Sequence, residues 1–260
     1  MPQIHIPFRK IDEHLDFILE NRLDLEIYIN SGSLDTLTDS GINELKKRLG
    51  YGPSITIHGP FMDLSPGAVD SKVREATLDR FFHTIELTRP LSPKAIVFHS
   101  GYEKWKYGLK PEIWLEKSLL TWRTIHQELS GAKTAPKIAI ENIFEDEPST
   151  LAKLMEGLRA EGLHGYGVCF DTGHFNLFSK APLSDWLSAL RPYIIELHLH
   201  DNDRLSDAHR PIGDGTFDFR ELFASLNDDV ERIHTIEAHS PEDALTSILR
   251  LEELSHRYRA

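Results

Sequence analysis

The stretch IIELHLHDNDRLSDAHRPIGDGTFDF, residues 194–219, runs an apolar segment into His198, His200 and His209. The acids Glu196, Asp201, Asp203, Asp207, Asp214 and Asp218 surround them. Similar endings recur along the chain. His58 closes SITIHG, His99 closes AIVFHS and Glu141 closes KIAIEN. Asp171 and His174 follow GVCF, and Glu237 with His239 closes HTIEAHS. Imidazole and carboxylate groups are the donors that hold divalent cations such as Zn, Mn or Co. Gathered without Lys or Arg, carboxylates raise one another's pKa, and a divalent cation relieves that repulsion. A lone histidine on an apolar strand is more often packed or solvated, and a lone acid at a strand end is often a helix cap. Those readings would have to hold independently at six successive strands.

The elements that position these residues follow from periodicity. Eight short segments rich in Ile and Val read as strands: 3–8, 24–29, 54–59, 95–100, 137–142, 167–172, 194–200 and 234–240. Between them apolar residues recur at helical spacing, as in Val73, Leu78, Phe82 and Ile85, or Trp114, Leu115, Leu119, Trp122 and Ile125. Ser240-Pro241-Glu242-Asp243 reads as a helix start, and Pro111 and Pro148 lie near two others. No linker or low-complexity tract interrupts the chain. Strand–helix alternation repeated eight times predicts an α/β fold, a single (β/α)8 TIM barrel over residues 1–260. A doubly wound sheet is the alternative, but it would not bring the strand-end ligands together. In a barrel all strand C-termini meet at one face, so these residues converge there. The loop bearing Asp207 and His209 can fold over the same mouth.

The bulk properties narrow the setting. Cys169 is the sole cysteine, which excludes an intramolecular disulfide and fits a reducing compartment. The N-terminus MPQIHIPFRK has no apolar core of a signal peptide, and no apolar run is long enough to span a membrane. A cytoplasmic protein is expected. The net charge of −12 disfavours a nucleic-acid partner without excluding one, because a bound metal or basic patch can reverse the local field. Among the remaining histidines, His14, His83, His126 and His256 lie on helical segments and His164 precedes a strand, so they read as solvated or structural. His5 lines either the barrel floor or the pocket. Oligomeric state is left open.

The pieces HGPFMDL (58–64), FHSGY (98–102), IEN (140–142), CFDTGHFNLF (169–178), HLHDND (198–203), DAHRPIGDG (207–215) and IEAH (236–239) occur in one order. In that order they resemble the xylose isomerase-like TIM barrels, the superfamily that includes sugar isomerases and epimerases and the endonuclease IV type of apurinic-site endonuclease. The resemblance implies a shared metal core on Glu141, Asp171, His198 and Glu237, with Glu141 and Glu237 as the acid–base pair. It implies further metal ligands at His58, His99, His174, Asp207 and His209 in the endonuclease IV branch, which carries three zinc ions. One to three divalent ions are therefore expected. A single ion suits proton transfer α to a carbonyl, and a cluster suits phosphodiester hydrolysis.

The loops separate these chemistries. The region after the second strand, INSGSLDTLTDSG, has no Lys or Arg, and the position where the family nuclease has Tyr is Phe61. GYEKWKYGLK (101–110) is aromatic and basic and could stack on a base, cover a sugar ring or simply enter a helix. Phe61, Trp105, His200 and His239 are candidate substrate contacts. The expected activity is a metal-dependent isomerase or epimerase acting on a sugar-like small molecule. The alternative is a multinuclear zinc phosphodiesterase with a nucleic-acid substrate. A lyase, a dehydratase or a binding-only member are lesser options.

Overall fold

The computed structural model describes residues 2–131 and 135–258. The domain expected over 1–260 also takes in 1, 132–134 and 259–260, which lie outside the described residues. Eight strands form one closed, all-parallel barrel in sequential order: β1 Gln3–Pro7, β2 Asp24–Tyr28, β3 Ile55–His58, β4 Ala95–His99, β5 Lys137–Glu141, β6 Tyr166–Asp171, β7 Ile194–Leu199 and β8 Ile233–Ile236. Each of the eight expected strands is present, with its ends shifted by one or a few residues. Around them pack helices including α1 (Ile11–Asn21), α2 (Ser31–Thr36), α3 (Asp39–Arg48), α4 (Ser71–Thr88), α5 (Pro111–Leu129) and α6 (Ser149–Ala160). α7 (Thr172–Phe178), α8 (Leu183–Leu190), α9 (Phe219–Ser225) and α10 (Pro241–Tyr258) complete the ring.

The helices begin where side chains satisfy otherwise unpaired N–H groups. Asn30 caps α2, Thr38 caps α3, Asp70 caps α4 and Asp218 caps α9. Pro111 opens α5, and Ser240 Oγ accepts from Asp243 N at 3.1 Å at the start of α10. The outer core lies between barrel and helices. It is built on Ile, Leu and Phe side chains with Trp114, Trp122 and Trp186 fully buried. Each fully buried aliphatic side chain there stabilises the fold by roughly 1.5–3 kcal/mol.

Alternation along each strand divides the sheet into helix-facing and interior sides. The interior row below the mouth is polar on one half of the barrel: Gln3, Glu26, Thr56, Glu196 and Thr235 are all buried. Thr56 Oγ1 donates to Gln3 Oε1 at 2.9 Å, and Thr235 Oγ1 donates to Glu196 Oε1 at 2.8 Å. On the other half Val97, Ala139 and Cys169 form a small apolar cluster. Above this row the strands end in the residues singled out from sequence.

Two glycines are set by close approach. A Cβ on Gly173 would lie 2.0 Å from Cε1 of His200, and one on Gly215 would lie 2.2 Å from the Asn202 carbonyl oxygen. Gly215 belongs to a loop held down by buried Asp201, whose carboxylate accepts from the N–H groups of Gly213, Gly215 and Phe217. Asp201 also forms an antiparallel bridge with Arg210. This staple carries Asp207 and His209 over the barrel mouth.

Candidate metal centre

The strand register brings distant residues side by side. His99 pairs with Glu141, Glu141 with Cys169, and Asp171 with His198. Glu237 lies one residue beyond β8. All nine expected ligand residues converge at the C-terminal mouth, in three overlapping groups.

The first group is His58, His99 and Glu141. His58 Nε2 and His99 Nε2 lie 3.1 and 3.2 Å from Glu141 Oε2. His58 Nδ1 donates to the Gly59 carbonyl at 2.9 Å, which turns the other nitrogen toward Glu141.

The second group surrounds His198. Its Nδ1 is 3.1 Å from Glu237 Oε1, 3.6 Å from Glu141 Oε1 and 3.7 Å from Asp171 Oδ2. That nitrogen is buried and has no hydrogen-bond partner among the described residues. On the opposite edge Nε2 lies 3.1 Å from Glu26 Oε1. An Nε2–H donated to Glu26 leaves the Nδ1 lone pair directed at three carboxylates. An unpaired buried acceptor facing three anions is the arrangement a divalent cation satisfies, so these residues fit the metal implied by their chemistry.

The third group is His174, Asp207 and His209. His174 Nε2 and His209 Nε2 lie 3.5 and 3.1 Å from Asp207 Oδ2. His174 Nδ1 donates to the Asn142 carbonyl at 3.0 Å. His209 adopts φ +44°, in the left-handed region that non-glycine residues seldom occupy outside functional or turn positions.

Charge balance ties the groups together. Burial pushes Glu141 and Glu237 upward, but the surrounding histidines outweigh it and hold both well below the usual carboxylate range. His99 and His198 are the main charges acting on Glu141; His5 and His198 act on Glu237. Burial opposes protonation of His198 and His174, yet their anionic neighbours raise both well above the ordinary value. Burial also opposes protonation of His209, but Asp207 and Glu237 beside it raise it to about 9. At His58 the pull of Glu141 overcomes burial and raises the ring, whereas at His99 burial wins and lowers it. The two rings share one carboxylate oxygen.

A cavity of about 730 Å³ opens above these groups. Glu141, Glu237, His58, His99, His174, Asp207 and His209 form its polar floor and wall. Tyr28, Phe61, Phe144 and Phe178 line the rest, with Lys106 the only Lys or Arg among its described lining residues. Phe61 stacks on His99 at 4.2 Å between ring centroids, 7° from parallel.

Three candidate substrate contacts lie elsewhere. Trp105 is 70% exposed and does not line the cavity; Lys104, held by Asp146, sits over its ring. His200 is fully buried behind Asp171. His239 stacks on the far side of His209 at 5.0 Å and borders a separate crevice of about 200 Å³. Asp201 likewise holds the loop rather than facing the cavity.

One buried carboxylate falls outside the strand-end pattern. Glu26 lies inside β2, fully buried, accepting from His5 Nδ1 at 2.9 Å and contacting His198. Its signal in the sequence is an acid at the centre of the strand DLEIY, in phase with Tyr28. His5 faces the cavity, with Nδ1 also 3.3 Å from Glu237 Oε1.

A family model described as xylose isomerase-like TIM barrel matches residues 25–254. The chain belongs to this family. Uncharacterized protein MJ1311 of Methanocaldococcus jannaschii is 28% identical over 223 residues, covering 81% of this chain and 72% of its own. The TTHB071 protein from Thermus thermophilus, solved after soaking with ZnCl2, is 25% identical with a TM-score of 0.81, covering 99% of each chain. A D-tagatose 3-epimerase-like protein is 23% identical with a TM-score of 0.81, covering 98% of each chain. Family members of this barrel are mostly enzymes, including epimerases, isomerases and endonuclease IV.

Proposed function

We propose that this protein is a divalent-metal-dependent isomerase or epimerase acting on a sugar or sugar derivative. The observation carrying this reading is the placement of Glu141 and Glu237. Both are held well below the usual carboxylate range by neighbouring histidines, both line the same cavity, and they flank His198 Nδ1 at 3.6 and 3.1 Å. Two carboxylates on either side of one centre can remove a proton from a substrate carbon and return one. An ion held by Glu141, Asp171, His198 and Glu237 would supply positive charge against the oxygen that becomes negative when that proton leaves. His58 and His174 hold Glu141 in place, while His5 and His198 hold Glu237. The aromatic wall of Tyr28, Phe61, Phe144 and Phe178 offers flat faces for sugar C–H surfaces.

The cavity's size suits a small molecule. Cations around the mouth are largely committed: Lys104 to Asp146, Arg210 to Asp203 at 2.6 Å, and Arg204 to Asn176. That leaves few groups to neutralise a phosphate backbone. The single buried cysteine supports a reducing, cytoplasmic setting for the enzyme.

One observation favours the multinuclear phosphodiesterase. Glu141 divides its oxygens among His58 and His99 on one side and His174 and His198 on the other. A carboxylate so divided is suited to bridging two ions.

The test is turnover of a panel of ketoses and their phosphates beside an abasic-site duplex, using protein loaded separately with Mn, Co and Zn. Epimerisation or isomerisation, with solvent deuterium entering the product and loss of at least about 10²-fold in Glu237→Gln, is expected. Strand cleavage with no change in any sugar would overturn the proposal.

A further inference from the structure

His200 is fully buried, yet its two nitrogens are treated unequally. Nε2 lies 3.1 Å from both carboxylate oxygens of Asp171. Nδ1 has no hydrogen-bond partner among the described residues and lies 3.8 Å from Asp207 Oδ1. An Nε2–H donated to Asp171 leaves Nδ1 as a bare acceptor in a site closed to bulk water. The ring is held on its other side by the chain itself: no residue larger than glycine fits at position 173, where a Cβ would stand 2.0 Å from Cε1.

The lone pair points into the third ligand group. Donor atoms of His200, Asp207 and His209 all lie within 4.8 Å of one another, and the rings of His200 and His209 are 4.2 Å apart. His174 Nε2 adds a fourth donor, 3.5 Å from Asp207 Oδ2. Donors around a tetrahedral zinc stand roughly 3.3 Å apart, given bonds of about 2.0–2.1 Å.

We propose that His200 Nδ1 is a metal ligand, completing with His174, Asp207 and His209 a four-ligand site for a zinc-like divalent cation. Three protein ligands would leave a position open for water or substrate; four close it. The ion at this position is structural. It pins the loop bearing Asp207 and His209 over the barrel mouth and leaves chemistry to the centre between Glu141 and Glu237. Asp171 supports both ions, through its place in the core and through the Nε2–H of His200. The inference rests on the metal-dependent reading above but not on the sugar chemistry.

The full chain, stripped with chelator and titrated with Zn or Co, provides the test. His200→Gln retains an amide N–H for Asp171 and removes the ligand nitrogen. Its expected effect is loss of one bound ion per chain, or binding of that ion at least about 10-fold more weakly. The intense visible absorption of tetrahedral Co(II) at that site should fall, with the core ion retained. An unchanged ion count, affinity and cobalt spectrum in folded His200→Gln would overturn the assignment. Should that variant not fold, anomalous diffraction from zinc-loaded wild-type crystals decides. An ion about 2.0–2.1 Å from His200 Nδ1 supports it, and none within about 3 Å refutes it. A core ion alone, with sugar turnover intact, would defeat this proposal and spare the functional reading; a filled four-ligand site without sugar turnover would do the reverse.

Discussion

Glu26→Ala is the most informative single perturbation of the core. Glu26 touches no cavity surface, and it contacts His198 Nε2 at 3.1 Å and His5 Nδ1 at 2.9 Å. Truncation leaves the His198 N–H buried without its acceptor, at a cost of about 1–3 kcal/mol. The ring can then adopt the other tautomer, which places a proton on the nitrogen that should face the metal. Loss of an outer partner of a ligating imidazole weakens metal binding by about 10- to 100-fold. At about 1.4 kcal/mol per decade this is roughly 1.4–3 kcal/mol of metal-binding free energy. Glu26→Gln keeps one acceptor oxygen but cannot serve both rings as a carboxylate does, so an intermediate loss is expected. Chelator-competition titration gives the affinities, and long-range proton–nitrogen NMR of the imidazoles reports the His198 tautomer. Wild-type affinity and an unchanged tautomer in Glu26→Ala would refute the reasoning, because His198 would then be oriented by something other than Glu26.

On the alkaline side the pH dependence of the metal-stripped protein should carry a contribution from His209, beside those of His174 and His198, which are also held above the ordinary value. The folded pKa of His209, about 9, exceeds the ordinary histidine value, so its stabilising effect is complete below about pH 6.5 and fades as pH rises through about 9. Thermal midpoints of stripped protein should therefore fall across that window, and His209→Gln should make the fall smaller. Gly173→Ala forces a methyl against the His200 ring; a loss of roughly 1–3 kcal/mol by urea unfolding is expected, with weakened metal binding. Asp201→Ala removes the acceptor for three loop N–H groups, and faster hydrogen exchange at Gly213, Gly215 and Phe217 should report the loosened loop. Adding chelator to metal-loaded protein should lower its melting temperature, since an ion bound only to the folded state stabilises by mass action, about 2.7 kcal/mol at one hundred times Kd.

Much of the architecture was legible along the chain, because interior and helix-facing residues repeat at periods that report on strands and helices. The eight strand segments and the helix starts at Pro111 and Ser240 are local signals of that kind. The nine candidate ligand residues were legible as types, since a barrel obliges strand ends to meet. Glu26 was harder to read: a carboxylate in a strand becomes meaningful only when a ring from β7 is found 3.1 Å away. Trp105 was hard to read for the opposite reason, because an aromatic in a mouth loop can turn toward solvent, as this one does, as readily as toward the cavity.

The sequence by itself therefore determined the fold class, the donor inventory and the face on which the donors gather. All three depend on short-range pattern and on the topology that pattern enforces. Tertiary structure alone decided which nitrogen of His198 and His200 faces the carboxylates, and how Glu141 is divided among four rings. It also set Glu26 beneath the centre. Those choices rest on hydrogen bonds between residues far apart in the chain, such as Glu26 and His198, separated by 172 positions.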